Sequence, residues 1–142
     1  MIVLDTNVVS EMMTVRPSET VRVWFGQYDP QQIWVTSITK AELLYGHLLL
    51  PLGRRRDLLA AMIREFFSDT LRTEVLPFGD PEAGLFATIA ADRRLAGRPI
   101  DQHDAQIAAI SRRWGFALAT RNVRDFDGCG IEVVNPWDHR DA

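Results

Sequence analysis

At 142 residues, with 46% hydrophobic and 25% charged side chains, the chain has the length and composition of one folded domain, which argues against both a multidomain machine and global disorder. The formal net charge of −3 leaves neither half of the chain basic, so any contact with nucleic acid must come from a local patch. Cys129, the single cysteine, excludes an intramolecular disulfide and a paired-cysteine zinc site, and no apolar run approaches a membrane span or a signal peptide, so we expect a cytoplasmic protein.

Ile2-Val3-Leu4 reads as a short buried strand meeting a turn at Asp5-Thr6-Asn7. After Pro17, the residues Val21, Trp24, Phe25 and Tyr28 recur with the spacing of one helical face, and Asp29-Pro30 stops that helix. Residues 33–36 form a second strand. Ser37 or Thr39 caps the helix that follows, in which Ile38, Ala41, Tyr45 and Leu48 share a face and Glu42 lies at its edge. From residue 54 to about 71, the stripe Leu58, Leu59, Met62, Ile63, Phe66 and Phe67 makes an amphipathic helix. It opens on Arg54-Arg55-Arg56, a cationic run that opposes the helix dipole and so is not explained by helix stability. Residues 74–78 read as a third strand, and Asp80-Pro81 opens a helix reaching about residue 96, closed by Gly97. Asp101 caps the next helix, where Ile107, Ile110 and Trp114 share a face and Gly115 ends the run. Residues 117–120 and 131–134 are the last two strands. Short apolar strands alternating with helices indicate an α/β domain around a mostly parallel sheet covered on both faces. The four tryptophans, Trp24, Trp34, Trp114 and Trp137, fit core packing better than base stacking.

In such a fold the site lies outside the carboxyl ends of the strands. Asp5 follows the first strand, and Asn122 and Asp125 lie in the turn after the fourth. Asp104 is in the first turn of a helix, and Glu42 is on the flank of another. Carboxylates gathered there repel one another unless protonated or neutralised, and a hard divalent cation such as Mg²⁺ or Mn²⁺ would neutralise them while keeping its own waters for a phosphate substrate. Each residue also has a plainer reading: Asp5 as a helix cap, Asp104 as a dipole partner, Glu42 as a solvated helix residue, Asp125 as a turn former.

Taken jointly, four blocks carry more information: the N-terminal run from Met1 through Asp5-Thr6-Asn7-Val8 to Glu11; Thr39-Lys40-Ala41-Glu42-Leu43; Asp104-Ala105-Gln106-Ile107-Ala108-Ala109; and Ala119-Thr120-Arg121-Asn122 with Asp125-Phe126. In this order they resemble the PIN-domain family over nearly the whole chain. Asn135-Pro136-Trp137 further resembles the branch that contains VapC-type toxins and FitB. The resemblance implies a single three-layer α/β/α domain over residues 1–142. Asp5, Glu42 and Asp104 match the family's three core acidic positions. Asn122 stands where some relatives carry aspartate, and Asp125 either compensates or orders the loop. The implied activity is Mg²⁺-dependent hydrolysis of RNA phosphodiester bonds, with Mn²⁺ able to substitute, by the toxin of a toxin–antitoxin pair. Asp5 and Asp104 would hold the ion, Glu42 would complete the site or orient the attacking water, and Arg54, Arg55 and Arg56, with Arg112 and Arg113 as lesser candidates, would grip the RNA backbone, meet the antitoxin or simply form a solvated surface. Thr6 and Asn7 position substrate or neighbouring carboxylates, or form the turn. The implied partners are a small cognate antitoxin with a DNA-binding segment, whose helix would reach the acidic pocket, and a second copy of the chain in a homodimer. The alternative is a FitB-like regulatory subunit that joins a DNA-binding partner and has little or no nuclease activity.

Overall fold

The computed structural model describes residues 1–140; the last two residues of the expected 1–142 domain lie outside them. Four short strands, β1 (Ile2–Leu4), β2 (Ile33–Trp34), β3 (Ala117–Ala119) and β4 (Val133–Val134), form an all-parallel sheet in the order β2-β1-β3-β4. Ile2 of β1 is opposite Ile33 on one side and Ala117 on the other. Because side chains alternate along a strand, Ile2 and Leu4 face one side of the sheet and Val3 the other. Each side has its own core.

Ile2 and Leu4 pack with Val8 and Val9 of α1 (Thr6–Met12), Trp24 of α2 (Glu19–Gly26), Leu43 of α3 (Ser37–Leu49) and Ile63 of α4 (Arg54–Glu65). Val3 and Leu118 pack instead with Ile89 of α5 (Asp80–Leu95) and with Ile107, Ala108 and Ile110 of α6 (Gln102–Trp114). The result is the expected three-layer α/β/α arrangement. No helix among the described residues is long and apolar enough to cross a membrane.

Several boundaries differ from the sequence reading for identifiable reasons. The turn expected after β1 is helix α1, which Asp5 caps by accepting the Thr6 N–H. The strand expected at 74–78 shrinks to one bridge, Leu76 against Thr36, because Pro77 has no N–H to extend the ladder. β4 begins two residues late, behind a loop where Gly128 and Gly130 adopt the left-handed conformation, at φ 74° and 75°. The row Ala41, Tyr45 and Leu48 on α3 faces outward: Tyr45 and Leu48 are 65% and 61% exposed, while the inward side carries Thr39 and Leu43. That helix packs its polar edge toward the end of the sheet, where hydrogen bonds take over from apolar contact. Of the tryptophans only Trp24 is buried. Trp114, 44% exposed, stacks on Phe116 beneath Arg113 instead of joining Ile107 and Ile110 in the core.

Candidate active site

From β1 the chain moves to one side to build β2 and later returns to the other side to build β3 and β4, so the topological switch falls between β1 and β3. Asp5 leaves the end of β1 and Thr120 the end of β3, side by side. The Asp5 N–H donates to the Ala119 carbonyl at 2.9 Å, continuing the ladder one residue beyond the strand. The Asp5 carboxylate is therefore aimed by the sheet itself. Its Oδ1 accepts the Thr6 N–H at 2.8 Å, and its Oδ2 accepts the Thr120 hydroxyl at 2.7 Å and the Asn7 amide at 3.3 Å. Thr120 Oγ1 in turn accepts the Asn7 amide at 3.2 Å and the Asn122 N–H at 3.1 Å, and Asn7 Oδ1 accepts the Arg121 N–H at 3.2 Å. Asp5, 5% exposed, and Thr120, fully buried, thus sit in a satisfied polar network at the switch point.

A second network brings in α3. The Thr6 hydroxyl donates to Glu42 Oε1 at 3.0 Å and lies 3.1 Å from the hydroxyl of buried Thr39. Thr6, the residue after Asp5, therefore ties Glu42 to the end of β1. Asp104 is half-buried in the first turn of α6, and Asn122 and Asp125 lie exposed on the turn after β3.

Electrostatics shows that these acids share one end of the molecule. Burial raises the Asp104 carboxyl pKa to about 7, with further push from Asp5, Asp101, Asp125 and Glu42. Burial likewise raises Asp5, with Asp125 adding to it, against the lowering effect of the Thr120, Thr6 and Asn7 hydrogen bonds. An end of the fold that disfavours its own ionised carboxylates is one that a cation would stabilise. The donors are all hard oxygens, the set suited to Mg²⁺ or Mn²⁺. Among the described residues no three acidic or histidine side chains close tightly on a single point. An ion here would therefore rest on one or two carboxylates and keep several of its own waters, which is the usual habit of Mg²⁺.

The arginines expected to meet RNA are differently placed. Arg54 is exposed, Arg56 reaches back to the Leu50 carbonyl, and Arg55 lines a groove of about 540 Å³ between α1, α3 and α4. That groove begins at Thr6 and Glu42 and runs along Met13, Leu43, Leu59 and Met62. Arg112 packs its guanidinium against Gly130, and Arg113 pairs with buried Glu82 at 2.9 Å, so both serve the structure of α5, α6 and the following loop. Thr36, not Ser37 or Thr39, caps α3, its hydroxyl accepting the Thr39 N–H at 3.2 Å. The roles of the Thr39 and Thr120 hydroxyls go beyond what the sequence assigns them, although the Asp-Thr, Thr-x-x-Glu and Thr-Arg-Asn spacings place a hydroxyl beside each polar anchor. The spacing of Arg93 on α5 carries no chemical signal.

The chain is similar to known proteins over nearly its whole length. A family model described as PIN domain matches residues 2–128. The chain is 33% identical to VapC ribonuclease Y4jK of Sinorhizobium fredii, over 97% of this chain and 99% of that protein. It is 32% identical to toxin FitB of Neisseria gonorrhoeae, over 96% and 99%. The structure of FitAB bound to an IR36 DNA fragment superposes with a TM-score of 0.91 at 30% identity, covering 99% of each chain. Matched by that family model over most of its length and similar to these relatives almost end to end, the chain belongs to the PIN-domain family.

Proposed function

We propose that this chain is a divalent-metal-dependent endoribonuclease, the toxin of a toxin–antitoxin pair acting in the cytoplasm. The observation that carries this reading is the Asp5 carboxylate, buried and locked at the switch point, with Asp104 and Asp125 within its electrostatic reach and Glu42 tied to the same end by the Thr6 hydroxyl. Similarity to a VapC ribonuclease and to toxin FitB supports the same class of activity.

When bound, Mg²⁺ or Mn²⁺ would supply positive charge for the phosphoryl oxygens and acidify a water. Asp5 and Asp104 would hold the ion, Asp5 from a fixed position and Asp104 by giving up the proton that burial and its acidic neighbours favour. Glu42, oriented by the Thr6 hydroxyl, would accept a hydrogen bond from the attacking water and aim it. Asn122 would add a neutral carbonyl ligand or hold a water, and Asp125 would supply charge at the outer edge. Arg121 and Arg124, which border the polar hollow beside Asn122 and Asp125, stand nearer to these acids in the chain than Arg54, Arg55 and Arg56 do and are the better candidates for RNA phosphate.

The antitoxin is assigned to the apolar groove. Its open end at Thr6 and Glu42 would admit a basic side chain from a partner helix whose apolar face covers Met13, Leu59 and Met62. The exposed row Leu44, Tyr45, Leu48 and Leu49 on α3 would be covered by a second copy of the chain in a homodimer, which sedimentation of the purified protein tests.

Purified protein should cleave RNA with Mg²⁺, lose activity with a chelator, and lose it in Asp5→Asn and Asp104→Asn; equal cleavage by all three proteins would overturn the reading. The second reading, a regulatory subunit without nuclease activity, is favoured by Asn122 in place of an acid and by the likeness to FitAB on DNA. Expression of the chain alone separates the two. Growth arrest abolished by Asp5→Asn belongs to the toxin, and absence of arrest belongs to the regulator.

A further inference from the structure

Arg93 is 6% exposed near the end of α5 and, among the described residues, is paired with no carboxylate. A buried guanidinium without an ion pair is costly unless its donors are otherwise used. Its Nε donates to the Arg98 carbonyl at 2.8 Å, and its Nη1 donates to the carbonyls of Asp125 at 2.7 Å and Asp127 at 3.0 Å, with Cys129 Sγ at 3.8 Å. All of these acceptors except Arg98 lie on the loop that carries Asp125.

A helix-stabilising role does not account for this. A cation in the last turn of a helix can serve the dipole from the surface; Arg93 instead turns its fork inward onto another segment. Burial pins the loop at Phe126 and Cys129, each 1% exposed in the core against α6, but around them stand only the 3-10 turn Val123–Phe126 and Gly128 and Gly130 with positive φ. Arg98 adds an exposed pair to Asp127 at 3.5 Å, and a Cβ added at Gly128 would stand 3.9 Å from Arg93 Cδ, in ordinary contact. The two buried anchors leave exposed Asp125 to the backbone, whose Asp125 and Asp127 carbonyls the Arg93 fork holds from behind.

We infer that Arg93 is a positioning residue, fixing through the Asp125 and Asp127 carbonyls where the Asp125 carboxylate stands relative to Asp5 and Asp104. The inference rests on the proposed metal-dependent reading of that site. Arg93 touches neither ion nor substrate. Lysine at this position keeps the charge but offers a single point in place of the fork, so it cannot hold Nε and Nη1 acceptors in the same geometry.

The test is calorimetric titration of Mn²⁺ into the purified full chain. Wild type should bind, and Arg93→Lys should bind about tenfold more weakly, the scale on which outer ligand-orienting contacts act. Gly128→Ala, strained by its φ of 74°, shifts the backbone of the same loop and should weaken binding likewise. In an Asp125→Asn background, Arg93→Lys should add nothing further. A merely structural Arg93 would lower thermal stability and leave Mn²⁺ affinity of the folded protein unchanged. Unchanged affinity in Arg93→Lys overturns the inference, as does full additivity with Asp125→Asn. Should Arg93→Lys fail to fold, Gly128→Ala decides alone by the same criterion. Absence of Mn²⁺ binding by wild type overturns the metal-dependent reading itself, and the inference with it.

Discussion

The inner and outer halves of the acidic end are built by different means. Asp5 and Thr120 are buried, hydrogen-bonded and set by the register of β1 against β3. Asn122 and Asp125 are exposed on a glycine-containing loop, and Asp104 and Glu42 are half-buried on helices. Sheet register holds the inner half within the tolerance of a backbone ladder; the outer half depends on side-chain clamps and can shift with whatever binds. Catalysis asks for the first property, whereas accommodating a substrate or partner asks for the second.

The sharpest way to break the comparison is at Asp5. Asp5→Asn keeps the shape and the acceptor for the Thr6 N–H while removing the charge. Cleavage should fall by at least about 10²-fold. The melting temperature should change little, since relief from burying a charge offsets the loss of Oδ2 as acceptor for Thr120 and Asn7. Cleavage kinetics beside thermal denaturation checks both, and a parallel loss of stability and activity would mean that Asp5 acts as a cap alone.

Next in size is Thr120→Val, nearly isosteric, which withdraws the hydroxyl that serves Asp5, Asn7 and the Asn122 N–H. Stability should fall by roughly 1–3 kcal/mol, the cost of leaving buried polar groups without partners. Cleavage should fall with it, and Thr120→Ser should restore most of the activity. If Thr120→Val cleaves RNA at the wild-type rate, the inner network does not orient Asp5.

The acids as a group make stability depend on pH. Asp104 and Asp5 bind protons more tightly in the folded chain than in the unfolded one. Their stabilising contribution is present in full below the unfolded value of 3.8 and is lost as pH climbs through about 7, the folded value of Asp104. After discounting for the solvent that reaches half-exposed Asp104, the loss is about 1–2 kcal/mol. Urea denaturation at pH 5 and pH 8 in chelator should show it, and added Mg²⁺ should restore stability at pH 8. A metal-free protein that is more stable at pH 8 than at pH 5 would mean that neither burial nor mutual repulsion holds these acids above their ordinary range.

The layer architecture could be read because it follows from alternation: Ile2 and Leu4 against Val3 requires two cores, and the helix caps at Asp101 and Gly115 stand where spacing puts them. Asp5 and Asp104 were legible as residues at this end of the sheet because one follows a strand and the other stands in the first turn of a helix, whereas Glu42, inside α3, is brought there by Thr6. What could not be read depends on pairing across the chain. The outward turn of Tyr45 and Leu48 is set by Thr6 meeting Glu42 from 36 residues away. The clamp on the Asp125 loop is set by Arg93 from 32 residues away. Neither has a local periodicity to betray it. Pro77 did carry a signal against the strand at 74–78, in the missing N–H.

The smallest expected effect lies in the groove beside Glu42, where the outer half of the site gives way to apolar surface. Gly46 lines that groove within α3, lacks a positive φ, and has nothing within 4 Å of where a Cβ would stand. Glycine at such a helical position costs backbone entropy without serving conformation or close packing in the free chain. Gly46→Ala should therefore raise stability by about 0.4–1 kcal/mol, seen as a small upward shift in Tm. Cleavage should not change, since the methyl points into the groove and not toward Asp5. Affinity for a partner helix is where the methyl should be felt: if the helix lies close over Gly46, the added carbon weakens binding even as it stabilises the free chain. Equal partner affinity in wild type and Gly46→Ala, with the rise in Tm intact, would place the partner helix away from the floor of the groove.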